Sequence, residues 1–144
     1  MKKLMMAVIL LSCVFLLGAC ASNDKADTNA GLNGMKVKEG SLSNVGCTLV
    51  IDNNEEQDFW MAHNDYEIQQ YIDGEWEDIP FLLDGRECLA IAYYVMPGEH
   101  REYEIGWEYE YGVLESGKYR IVEKVYDRGY EKIVDYLYAE FSLL

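Results

Sequence analysis

Between residues 66 and 79 two short alternating runs are separated by only two residues, Asp73-Gly74. A two-residue connection between antiparallel strands needs positive φ at both turn positions. Aspartate tolerates that and glycine adopts it freely, so the dipeptide dictates a β-hairpin. A lone hairpin is marginal in water and needs more strands around it. The chain supplies them: runs at 47–51, 88–96, 100–107, 119–126 and 133–143 are apolar or alternating. Turn signals bound them at Asp52-Asn53-Asn54, Pro97-Gly98 and Asp127-Arg128-Gly129. In 100–107, Tyr103, Ile105 and Trp107 share one side and Glu102, Glu104 and Gly106 the other. In the last run Leu137, Ala139, Phe141 and Leu143 share a face, while Asp135, Tyr136, Tyr138 and Glu140 form a mixed one. The best helical candidate, 55–63, is a short acidic connection. About seven short strands predict an all-β, immunoglobulin-like antiparallel sandwich.

The N-terminus carries a separate message. Lys2 and Lys3 precede an apolar run from 4 to 17 broken only by Ser12, which meets Leu17-Gly18-Ala19-Cys20. Such a segment is too short to span a bilayer comfortably and has the build of a secretory signal. Its last four residues resemble the lipobox of bacterial lipoproteins. That resemblance implies cleavage before Cys20 and a diacylated Cys20. The organisation expected is a signal peptide (1–19), a flexible polar tether (20–34) and one sandwich domain (35–144). In the tether, Leu32 is the only large apolar residue, too little to offset the entropy of ordering a backbone. Cleavage removes two of the twelve basic residues and takes the net charge from −14 to −16. That excludes a nucleic-acid role, which needs clustered Lys and Arg, and leaves membrane attachment to lipid, not to a basic patch.

Three stretches carry a family resemblance. They are the hairpin from Tyr66 through Asp73-Gly74-Glu75-Trp76 to Ile79-Pro80, the turn Val95-Met96-Pro97-Gly98-Glu99 before a strand ending near Trp107, and Tyr111-Gly112-x-Leu114-x-x-Gly117-Lys118-Tyr119-Arg120-Ile121. With Ala139-Glu140-Phe141 they resemble a bacterial immunoglobulin-like domain common in cell-surface proteins and lipoproteins of Firmicutes. The resemblance is weakest over 53–64. It implies a β-sandwich and a binding or structural module with no catalytic residues. Gly117-x-Tyr119 at a strand start has the pattern of a tyrosine corner, whose hydroxyl bonds back to upstream backbone. Ile121 stands where antibody domains keep their second disulfide cysteine.

Motifs for chemistry are poor. The stretch from Gly112 to Lys118 has phosphate-loop spacing, but Tyr119 replaces the magnesium-holding hydroxyl and a strand follows. Asp52, Asn54 and Glu56 alternate as in a calcium loop, yet Gln57 and His63 stand where glycine and a bidentate glutamate belong. His63 and His100 lack zinc-ligand spacing. Ser116 sits outside any nucleophile-elbow pattern. Nothing singles out a catalytic carboxylate pair among 26 acidic residues, and no cofactor motif is present. The stretch from Trp107 to Tyr111 interleaves aromatics with acids. It fits a strand with a core-facing aromatic side better than an exposed strip for sugars.

Signal and resemblance together imply a lipid-anchored, non-catalytic binding or structural module on the extracytoplasmic face of the bacterial membrane, with a protein or glycan partner at the envelope. A carbohydrate-binding or protease-inhibitor-like sandwich is the alternative, and a small carboxylate-based hydrolase the third reading. Cys13 leaves with the signal and Cys20 takes lipid, so Cys47 and Cys88 reach an oxidising compartment. Composition alone favours a disulfide between them. In an immunoglobulin-type sheet, however, strand E separates a Cys47 on strand B from a Cys88 on strand D. Two spacings of roughly 4.8 Å exceed the ~7 Å Cα limit of a bridge. Two buried thiols are therefore expected over a bond, unless the loop 84–87 bends Cys88 toward Cys47.

Overall fold

The computed structural model describes residues 34–62, 65–82 and 92–144. Cys13, Cys20, His63 and Cys88 lie outside them. In chain order the elements are β1 (Met35–Val37), β2 (Gly46–Asp52), β3 (Phe59–Ala62), β4 (Glu67–Ile72), β5 (Glu75–Asp78), β6 (Ala92–Val95), β7 (His100–Gly106), α1 (Glu108–Tyr111), β8 (Gly117–Tyr126) and β9 (Ile133–Leu143). Strands β1, β2 and β7 form one antiparallel sheet. The second sheet runs β5-β4-β8-β3-β6, with β9 along the other side of β8. The two pack as a sandwich. Asp73 and Gly74 both adopt positive φ, 51° and 95°, and the turn pairs Ile72 with Glu75 and Tyr71 with Trp76.

Strand β8 organises the second sheet. Its first half pairs with β4, Ile68 opposite Ile121, and its last residue, Tyr126, faces Trp60 of β3. Strand β9 occupies the opposite side over the full length of β8. Hence β3 and β4 lie end to end along one side of β8. Residues of β8 at odd positions, Tyr119, Ile121 and Val125, enter the core against Ile68, Leu137 and Phe141. From the other sheet come Leu49, Ile51 and Ile105. Polar contacts also bridge the sheets inside: the half-buried Tyr103 donates its hydroxyl to Glu123 Oε1 at 2.7 Å. Burial raises the Tyr103 pKa well above its ordinary value.

Two strands exceed the sequence expectation. The acidic connection 55–63 ends early, and Phe59–Ala62 is a strand. Its residues are apolar on both faces, so neither a period of two nor a helical one is visible in it. The buried Asn53 shapes the loop before it. Its amide donates to the carbonyls of Gln57 and Val95, both at 2.8 Å, and its Oδ1 accepts from the Glu55 N–H at 3.0 Å. The second addition, β1, is three residues long.

The strand order assumed for the two thiols also differs, although Cys88 itself lies outside the described residues. The strand following Cys88, β6, pairs with β3 in the six-stranded sheet and is not a neighbour of β7. The intervening-strand argument therefore does not apply to β2 and β6, which lie in different sheets. Cys47 is a buried free thiol, and burial pushes its pKa up to about 12.

The outer face of the three-stranded sheet is ionic. Lys36 bonds Asp52 at 3.3 Å, Lys38 bonds Glu102 at 2.6 Å, and His100 Nδ1 lies 2.6 Å from Asp52 Oδ1. The bond to Asp52 raises the His100 pKa against the opposing effect of desolvation. The charged pair is thus fully formed below the ordinary histidine pKa and lost as pH rises through the raised one. Asp52→Asn is expected to bring the His100 midpoint down in an NMR titration. An unchanged midpoint would place the cause of the shift elsewhere.

Candidate functional site

The opposite outer face, that of the six-stranded sheet, is aromatic and cationic. The even positions of β8 point outward: Lys118, Arg120, Val122, Lys124 and Tyr126. Register sets them beside Gln69 and Glu67 on β4 and beside Glu140, Tyr138 and Tyr136 on β9. The alternation of β8 is hidden in its sequence because both its faces are covered. Arg120 is only 1% exposed. Its guanidinium lies between two rings, 4.4 Å from the centroid of Trp76 and 4.8 Å from that of Tyr138. Its Nε donates to Gln69 Oε1 at 2.6 Å, and Gln69 passes a bond of 2.6 Å on to Asp78. Lys118 sits 5.0 Å from the Tyr71 ring and 2.8 Å from Glu140. These contacts give the β4–β5 end of the face a rigid, internally paired surface.

Midway along the face, Lys124 bonds Asp65 at 3.2 Å and Glu67 at 2.8 Å. Burial opposes its charge, but the two carboxylates outweigh burial and hold the pKa well above the usual lysine value. Tyr126 donates to Asp65 Oδ2 at 2.5 Å.

At the β3–β6 end, Trp60 stacks on Tyr94 at 5.2 Å and receives Tyr130 edge-on at 5.7 Å. Tyr130 also stacks on Tyr126 at 5.3 Å. Tyr130 has a φ of 58°, rare for a bulky residue. Its hydroxyl donates to the Met61 carbonyl and, at 3.3 Å, to that of Tyr93. The β8–β9 turn is thereby folded back onto β3. A cleft of about 470 Å³ opens beside Trp60 and Tyr126, rimmed by Gln57, Asp58, Asp127 and Arg128.

The residues that the sequence singles out fall elsewhere. The stretch from Trp107 to Tyr111 is not a strand: 108–111 form a helical turn. Trp107 and Tyr111 are buried four residues apart on its inner side, while Tyr109 between them is 78% exposed. A strand would place all three on one face; a helical turn does not. Asp52, Asn54 and Glu56 are not gathered, since the Asp52 carboxylate is engaged by Lys36 and His100. Among the described residues no group of three or more His, Cys, Asp or Glu is placed to hold a metal ion. Tyr119, at the start of β8, donates its hydroxyl to the Glu115 carbonyl at 3.0 Å. Its ring lies over Gly117, where an added Cβ would stand 3.1 Å from a ring carbon.

The aromatic face itself was missed because Trp60 lies on an unrecognised strand and Tyr136 and Tyr138 sit on the mixed face of β9. The legible signal was Tyr71 and Trp76, which the Asp73-Gly74 turn must set side by side. The sequence model of the family described as Bacterial Ig-like domain matches residues 28–142. No curated protein and no solved structure matches the chain.

Proposed function

The chain belongs to the bacterial Ig-like domain family, and from that membership we propose that it is a lipid-anchored, non-catalytic binding module on the outside of the bacterial cell membrane. Cys20 carries the lipid, residues 20–34 form the tether, and the outer face of the six-stranded sheet meets an envelope partner. The lipobox supports the anchor. Two acyl chains hold a protein stably where one does not, and a strongly acidic chain gains nothing from an anionic surface. Cys20→Ala is expected to release the protein into the medium or to leave an unprocessed precursor. Normal membrane retention of that variant would remove the anchor from the proposal.

The observation that carries the binding role is the aromatic face. Its ends expose Tyr71 (42%) and Tyr94 (46%) over a framework in which Lys118, Arg120 and Lys124 are already paired. Rigid aromatic side chains with polar tips are the residues that interfaces use as anchors. Binding of the labelled protein to isolated bacterial envelopes tests it. Tyr71→Ser or Tyr94→Ser should weaken binding roughly tenfold, about 1.4 kcal/mol, and Glu104→Gln on the opposite sheet should leave it unchanged. Equal binding by all three variants would take the role away from this face.

A further inference from the structure

We propose that the cleft beside Trp60 and Tyr126 is a saccharide subsite and that its ligand is a neutral sugar. The inference rests on the binding role given above to this sheet face and names the chemistry of one part of it. The cleft, at about 470 Å³, falls within the ~300–1,000 Å³ of small-ligand sites.

Its floor and rim differ in how far they are already engaged. The floor is held in place. Tyr126 is bonded to Asp65 and backed by Tyr130, which bonds Met61 and Tyr93, and the Gln57 carbonyl accepts from Asn53. Asp127 Oδ1 accepts the Glu131 N–H at 2.9 Å and so fixes the turn that carries Arg128. By contrast, the side chains of Gln57, Asp58 and Arg128 make no hydrogen bond or ion pair among the described residues. Elsewhere on the same face the polar groups are spent on one another, as in Lys118–Glu140 and Gln69–Asp78. Here an amide, a carboxylate and a guanidinium remain unengaged around two aromatic rings.

That combination matches the two halves of a sugar. Its apolar C–H face stacks on an aromatic ring. Its neighbouring hydroxyls both donate and accept, which suits planar groups offering two adjacent atoms each. Charge narrows the class. Asp58 and Asp127 flank the cleft, and Glu55, Glu56 and Asp135 line the one beside it, so an acidic saccharide is repelled. Arg128 is a single positive charge on that rim and does not outweigh the carboxylates. Charge therefore excludes acidic sugars, and the two rings, which stack on an apolar C–H face, select a neutral one.

The test uses the full chain in detergent, screened against immobilised neutral oligosaccharides and their uronic-acid counterparts, with titration of any that bind. Neutral oligosaccharides should bind. Affinity should fall at least tenfold in Trp60→Ala and in Arg128→Ala, and should stay unchanged in Glu104→Gln on the opposite sheet. Gln57→Ala and Arg128→Ala alter exposed side chains without partners, so they keep the test open should Trp60→Ala fail to fold. The proposal is overturned if no neutral oligosaccharide binds, if these two variants bind as the unaltered chain does, or if acidic sugars or a lysine-rich peptide are preferred. Should sugars fail while Tyr94→Ser still weakens envelope binding, the saccharide inference falls alone and the binding face stands.

Discussion

Trp107→Ala is expected to remove about 3–5 kcal/mol of stability, the range for truncating a large buried aromatic. Trp107 is wholly buried between the sheets, where its ring stacks on Phe141 at 5.7 Å. Its indole N–H donates to the Asn44 carbonyl at 2.8 Å, and its own backbone N–H donates to that of Val45 at 2.8 Å. The side chain thus ties the 43–45 connection before β2 to the end of β7. Truncation leaves a cavity and an acceptor without its donor, and the two losses reinforce each other. A domain of this size has roughly 5–15 kcal/mol in total, so the variant should unfold at much lower denaturant. Trp107→Phe keeps most of the packing and should fall between the two. A shift below about 1 kcal/mol for the alanine variant would mean that the core collapses around the gap.

Tyr119→Phe is expected to lower stability by about 1–3 kcal/mol, a large effect for one oxygen atom. The ring would stay where it is, 2% exposed and stacked on Phe141 at 5.6 Å. Only the bond to the Glu115 carbonyl is lost. That bond closes the loop between α1 and β8 onto the strand that pairs with both β4 and β9, so the loss falls on the centre of the six-stranded sheet. An unchanged denaturant midpoint, at an unchanged slope, would make Tyr119 an ordinary strand tyrosine whose ring alone matters.

Legibility varied with how many partners an element needs. The turn of the β4–β5 hairpin was legible to the residue because it is local: two positive φ angles are a property of Asp73 and Gly74 alone. Strand β7 was legible because one of its faces meets solvent, so Glu102 and Glu104 alternate visibly with Tyr103 and Ile105. Strand β3 was not. Phe59 and Met61 face the core while the outward Trp60 packs on one side against Tyr94 and Tyr130, so no polar residue marks a face. The stretch from Trp107 to Tyr111 misled for the complementary reason, since alternating aromatics and acids satisfy a strand pattern while the tertiary fold uses their i, i+4 spacing.

By itself, then, the sequence determined the all-β class and the turns, because each depends on torsion preferences and periodicity within a few neighbouring residues. Tertiary structure decided which strands share a sheet. It brought β6 to β3 and set Trp60 beside Tyr126, residues 66 positions apart that no local preference connects. It also decided which polar groups are already satisfied: Arg120 is closed between Trp76 and Tyr138, while Arg128 stands open. In sequence both are arginines directly after an aromatic or an acid, Tyr119 and Asp127. Only the packing around each fixes whether its charge serves the fold or is left for a ligand.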